Sequence, residues 1–178
     1  MEEYSDHTPA DVAWYPMVPI RDVVIFPFTK VAFKIGRAGS VRALEQALSA
    51  DRTIFLATQH DATVDEPGPD QIYGIGTLGR ILQSQKQENG QIKVVVEGRE
   101  RATTVRVENA GGAFMALVKR APIVNEESTR LDALIQKVGQ LVEQHLRLAP
   151  DTQTDALQTA LRNPEPSHLA DALASQMR

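Results

Sequence analysis

The chain has no cysteine, which removes disulfides, thiolate metal sites and a cysteine nucleophile at once. It also lacks any apolar run near the ~20 residues a membrane-spanning helix requires, so no membrane partner is expected. Positive charge is not concentrated: 19 basic side chains stand against 23 acidic ones, for a formal net charge of -4. A nucleic-acid binder needs a dense cationic face to displace phosphate counterions, so no nucleic acid is expected either. The first fifteen residues carry Glu2, Glu3, Asp6 and Asp11 without an apolar core, unlike a secretory signal. What remains is 178 residues of ordinary globular composition, 42% hydrophobic and 24% charged, enough for one domain with a small appendage. A soluble cytoplasmic protein is the expectation.

Motifs for catalysis are also lacking. No G-x-x-x-x-G-K-[ST] sequence occurs, so these residues encode no ATP site of that kind. Gly74-Ile75-Gly76-Thr77-Leu78-Gly79 is a literal G-x-G-x-x-G, but a dinucleotide site needs a helix immediately after it. Here Arg80-Ile81-Leu82-Gln83 run on towards a hairpin, so the glycines are read as a bend or bulge in a curved sheet. His7, His60, His145 and His168 are too scattered for a local metal pair, and Asp61, Asp65, Glu66 and Asp70 lack the order of a calcium loop. Ser84 and Lys86 share a strand face, yet an exposed hairpin arm offers no evident oxyanion hole. Glu97, Arg99, Glu100, Arg101 and Arg106 mix signs as a salt-bridged strand surface does. No catalytic, cofactor-binding or metal residue is assigned, and no cofactor is expected in this chain.

The pattern of what is present gives an α+β chain. Residues 1–13 are polar and small and are expected to be a mobile leader, with packing beginning at Trp14 and Tyr15. Extended pieces follow over 16–20, 23–26 and 30–35, punctuated by Pro16, Pro19 and Pro27. Ser40 is expected to cap a helix whose stripe is Val41, Leu44, Ala47 and Leu48 and which ends near Ala50. Thr53 to Thr58 reads as a strand buried on both faces, and Asp61 to Asp70 as a surface loop. From Ile72 to Arg120 the chain reads as a meander, with Asn89-Gly90 joining 79–86 to 91–98 and a second return at 109–112. After Pro122 the period lengthens. Leu131, Leu134, Ile135, Val138, Leu141, Val142 and His145 predict a long amphipathic helix, followed by shorter ones over 154–162 and from Ser167. The last helix places Leu169, Ala172, Leu173 and Met177 on one side, a stripe to be covered by an earlier helix or by sequence beyond Arg178.

The ordered segments Pro19-Ile-Arg-Asp-Val-Val-Ile-Phe-Pro27, Gly36-Arg37 with Ser40 and Ala43-Leu44-Glu45, Ala57-Thr-Gln59 with Val64-Asp-Glu-Pro67, Tyr73-Gly-Ile-Gly-Thr77 and Ile92-Lys-Val-Val-Val-Glu-Gly98 resemble the N-terminal domain of Lon, the ATP-dependent AAA+ serine proteases. The resemblance covers roughly residues 16–125. It implies a small, twisted, PUA-like pseudo-barrel with one helix over 14–122, then a helical subdomain over 123–178 that continues past Arg178. It further implies a non-catalytic fragment of a protease, with ATP and magnesium bound in the missing part. Its partners would be unfolded or damaged polypeptides and, in the hexameric parent, other Lon subunits. Ala38-Gly39 and Phe28-Thr29 depart from the family's usual residues. An accessible apolar groove is the physical requirement for recruiting unfolded chains. Phe26, Phe28 and Phe33, beside the prolines, and Arg37 and Arg42, at the helix entry, are the candidate substrate-binding residues. A stand-alone adaptor or small-ligand module of the same fold is the alternative, which the length of the native reading frame separates from the first.

Overall fold

Alternating or unbroken apolar stretches of strand length form the sheet, and the computed structural model describes residues 12–121, 128–148, 155–162 and 165–176. Six strands form one mixed sheet: β1 (Val12–Ile20), β2 (Lys30–Ile35), β3 (Thr53–Thr58), β4 (Ile75–Lys86), β5 (Ile92–Ala110) and β6 (Ala113–Arg120). Their order is β2-β5-β4-β3-β1-β6, and β6 pairs back onto the second half of β5. That extra pairing rolls the sheet into a ring, with β2 laid outside it against the first half of β5. The strands β1 and β3 run parallel, and the connection between them carries helix α1 (Ala38–Ser49).

Alternation sorts side chains into two cores. Val18, Ile20, Ile54, Leu56, Ile81, Val94 and Val96 face α1, which buries Ala43, Leu44 and Ala47 completely against them. Their sequence neighbours Met17, Phe55 and Ala57 point the other way, into the ring, with Leu78, Ala102, Ala116 and Val118. β3 is thus buried on both faces, as its unbroken apolar sequence requires.

The Asn89-Gly90 turn and the return at 109–112 lie where the sequence places them, and both strands of the first hairpin run longer than expected. The G-x-G-x-x-G sequence runs from Gly74, just before β4, into that strand, with a register shift between Leu78 and Gly79. A Cβ on Gly76 would lie 2.5 Å from the Leu56 carbonyl oxygen, so glycine here permits close strand approach.

Three expectations change. β1 starts at Val12 rather than Pro16, because β6 pairs with it from Val12 to Met17. Residues 23–26 do not join the sheet. Helix α1 begins at Ala38 with Arg37 as its capping residue, and Ser40 is buried in the first turn rather than capping it.

Beyond the ring lie α2 (Thr129–Leu148), α3 (Asp155–Arg162) and α4 (Pro166–Ala174). Val142 of α2, Leu157 and Ala160 of α3, and Leu169 and Ala172 of α4 form a third core. Earlier helices therefore cover the terminal stripe from Leu169 to Leu173. Its expected fourth member, Met177, and most of the leader expected over 1–13 lie outside the described residues.

Candidate functional site

The segment Arg21 to Thr29 crosses the outside of the sheet and satisfies its backbone through contacts far away in sequence. The Thr58 hydroxyl donates to the Val23 carbonyl at 2.8 Å, and the buried Thr77 hydroxyl donates to the Ile25 carbonyl at 2.6 Å. At the far end, the Phe28 N–H donates to the Gly98 carbonyl and the Gly98 N–H to the Thr29 carbonyl, both at 2.9 Å. Two residues facing one make this a bulge, with Phe28 at φ 62° in the left-handed region where glycine is usual. A Cβ on Gly98 would lie 2.2 Å from the Phe26 carbonyl oxygen, so only glycine lets the segment lie this close.

Arg37 holds the near end. Its guanidinium donates to the Pro19 carbonyl, to Gln59 Oε1 at 2.9 Å and to the Asp65 carbonyl at 3.1 Å. Gln59 is buried and in turn donates to the Asp61 and Val64 carbonyls at 2.6 and 2.9 Å. One arginine and one glutamine thereby pin the acidic loop against β1. Burial holds the Arg37 pKa below the ordinary arginine value; neighbouring Arg21 lowers it further, and Asp65 and Glu66 oppose that shift. Arg21 meets the Asp65 carboxylate at 2.6 Å on the exposed rim.

Between this segment and β2 runs a cleft of about 400 Å³. Pro19, Ile20, Val23 and Ile25 line one side and Val31 to Ile35 the other, with Arg37, Asp65 and Gln91 also contributing. Val23 of this lining and its neighbour Val24 are 44% and 57% exposed, and the apolar side chains of Tyr73 and Ile75 are 54% and 63% exposed. The Tyr73 N–H donates to the Thr58 carbonyl, and the Thr58 hydroxyl to Val23, so these two exposed stretches are neighbours.

The five candidates from the sequence separate. Phe33 and Arg37 line the cleft, Phe33 half-buried and Arg37 engaged as its anchor. Phe26 is half-buried, and its carbonyl accepts from the Thr29 hydroxyl. Phe28 is half-exposed and packs on His168 of α4, ring centres 3.7 Å apart. Arg42 lies on α1, donating to the Gly112 carbonyl at 3.0 and 3.1 Å, in a shallow depression with Glu45, Gln46, Ser49 and Ala50. Sequence reasoning missed Val23, Val24, Gln59 and Gly98 as site-forming residues, although all four fall within the segments that carry the family resemblance.

A second contact joins the helices to the ring. Arg101 on β5 pairs with Asp171 on α4, whose carboxylate is almost entirely buried and whose Oδ2 has no hydrogen-bond partner among the described residues. Arg101 is thus the exception in the mixed-charge strand surface, where Arg99–Glu97, Arg106–Glu108 and Arg120–Glu100 are local pairs. Among the described residues no group of His, Asp or Glu is arranged to hold a metal ion.

A rolled sheet with an apolar cleft, exposed aliphatic side chains and a docked helical unit is the architecture of a binding module. The chain belongs to the family of the ATP-dependent protease La (LON) substrate-binding domain, whose model matches residues 14–178. It is 46% identical over 169 residues to the Lon protease of Solibacter usitatus, covering 95% of this chain and 21% of that protein. With the Lon protease of Azospirillum brasilense it shares 39% identity, over 93% of this chain and 20% of the relative. The chain thus spans about a fifth of the length of these curated relatives. The N-terminal domain of Mycobacterium avium complex Lon protease has the same fold, at a TM-score of 0.73 and 20% identity, covering 93% of this chain and 85% of that one. A Lon N-terminal domain protein from Xanthomonas campestris superposes at 0.56 with 12% identity, covering 93% and 99%.

Proposed function

We propose that this domain recruits unfolded or damaged polypeptides for ATP-dependent degradation and supports assembly of Lon subunits into a hexamer. ATP, magnesium and peptide-bond hydrolysis belong, on this reading, to other parts of such a protease, acting in the cytoplasm. Among the described residues no helix is long and apolar enough to cross a membrane. The observation that carries the reading is the cleft together with the exposed apolar side chains of Val23 in its lining and of neighbouring Val24, Tyr73 and Ile75, in a member of a substrate-binding family. Unfolded chains differ from folded ones in exposing apolar side chains, and an exposed apolar rim is what selects them. The candidates Phe33 and Arg37 act within this reading, Phe33 as cleft wall and Arg37 as the anchor that keeps the cleft open. Phe26, Phe28 and Arg42 serve it less directly, since Phe28 and Arg42 are engaged with α4 and with the β5–β6 turn.

The test is titration of the isotopically labelled chain with a permanently unfolded protein, read by NMR and photo-crosslinking. Signals of Val23, Val24, Tyr73 and Ile75 should move. A full titration with no response at any residue would overturn substrate capture by this domain.

A further inference from the structure

We propose that the cleft takes an extended stretch of substrate as an added β-strand on the free edge of β2, which rests on the substrate-binding reading above. Among the described residues β2 is the terminal strand of the sheet order and pairs only with β5. Gly98 and Thr29 form a hydrogen-bonded position of that ladder, and pairing continues as Lys30 with Glu97 and Val31 with Val96. Antiparallel ladders alternate, so Val31, Phe33 and Ile35 bond inward to β5. The N–H and C=O groups of Lys30, Ala32 and Lys34 then point outward along the edge. The cleft lies against this edge: Val31 to Ile35 line it, and Val23 and Ile25 stand across it. An incoming chain would find unpaired backbone groups on one side and an apolar wall on the other, the two requirements of strand addition.

The side chains choose the occupant. Lys30, Ala32 and Lys34 are exposed on one face of β2, and Val31, Phe33 and Ile35 turn towards the core. Lys30 lies 3.9 Å from Glu97. A strand pairing with this edge therefore meets a lysine, alanine, lysine row on its outer face and an apolar surface on its inner face. Cross-strand pairs of opposite charge stabilise and like pairs repel. A peptide alternating acidic and aliphatic residues fits. A second copy of the domain does not, since two β2 edges paired about Ala32 would set Lys30 opposite Lys34 twice. Because backbone groups make the bonds, such recognition tolerates many sequences, as a recruiter of unfolded chains needs.

The experiment uses a fluorescent peptide of alternating Glu and Val, titrated into the whole chain by anisotropy. Two methylated forms accompany it, one blocking the N–H groups of the Glu residues and one those of the Val residues. Methylating the Glu set, which faces the edge, should weaken binding about tenfold or more, as loss of two or three backbone hydrogen bonds implies. Methylating the Val set, which faces away, should change it less than about threefold. Hydrogen exchange at Lys30, Ala32 and Lys34 should slow on binding. The variant Ala32→Pro removes an outward N–H at a position where edge strands accept proline, and should weaken the unmodified peptide similarly. Its circular dichroism reports folding, and the methylated peptides test the idea on the unaltered chain in any case. Equal binding of all three peptides, or protection confined to the Tyr73 and Ile75 stretch, would overturn strand addition. Such results would leave substrate capture standing if the unfolded protein still bound at the rim. Concentration-dependent dimers abolished by Ala32→Pro would assign the edge to a second copy and refute the proposal.

Discussion

Gly98→Ala is the sharpest single perturbation the fold offers. The new methyl carbon would sit 2.2 Å from the Phe26 carbonyl oxygen and 3.0 Å from its carbon, with Thr77 Cγ2 at 3.2 Å. The nearest obstacle is backbone, which has no rotamer to change, so the crossing segment must lift by about 1 Å to restore an ordinary contact near 3.2 Å. Lifting it stretches the two 2.9 Å bonds that Gly98 makes with Phe28 and Thr29. Two backbone bonds contribute about 1 kcal/mol each. Overpacking adds about 1–3 kcal/mol. The expected loss is therefore about 3–5 kcal/mol, and at about 2–4 °C per kcal/mol for a chain of this size, Tm should fall by about 6–20 °C. Thermal melts and urea titrations measure it, with Gly74→Ala as reference. A Cβ on Gly74 meets nothing within 4 Å, so that variant should stay within about 0.5 kcal/mol of the parent. If the two alanine variants melt together, the close crossing at Gly98 does not hold in solution.

Further outcomes follow from the anchors. Arg37→Ala should destabilise by about 2–3 kcal/mol, because it leaves the Pro19 carbonyl and buried Gln59 without their donor; Arg37→Lys should recover little of this, lacking the planar fork, as chemical denaturation will report. Arg101→Ala leaves Asp171 buried without its cation, and with Arg101 itself partly exposed the cost should be about 2 kcal/mol; hydrogen exchange should show α4 losing protection before the ring does. Asp51 accepts from the Thr53 N–H and hydroxyl, both at 2.9 Å, and the backbone bond is the main cause of its lowered pKa. A lowered folded-state pKa stabilises above the ordinary value of 3.8, and the contribution disappears as pH falls through the folded value. Asp51→Asn should therefore flatten the acid limb of a stability-against-pH curve while changing its slope near pH 7 little.

Local signals carried most of the architecture. β3 spans the expected Thr53 to Thr58, and the Asn89-Gly90 turn fixes the longest hairpin, because strand alternation and turn chemistry are properties of neighbouring residues. The crossing segment was not legible in the same way. Val23 to Phe26 has the composition of a strand, but its carbonyls are claimed by Thr58 and Thr77, partners 35 and 52 residues away. The start of α1 was misplaced for a related reason. Ser40 has the chemistry of a cap, yet its position against the core buries it, and Arg37 takes the capping position while its side chain reaches across to Pro19. At the site, Phe33 and Arg37 come together but Phe28 and Arg42 do not, since α4 and the β5–β6 turn reach them first. Gln59 and Gly98 matter through tertiary approach alone, which no periodicity records.

The ring closes through β6, whose Lys119 lies opposite Val12 at the start of β1. Roughly a hundred residues separate those partners, so on a ribosome adding about 5–20 residues each second the first strand waits about 5–20 s for its last neighbour. Pairings this distant also form late in folding. During that interval Met17 and Phe55, which end up sealed inside the ring, have no lid above them. A substrate-binding domain thus begins its own existence as an unfolded chain, and its exposure to the cell's degradation machinery is set by the time β6 takes to arrive.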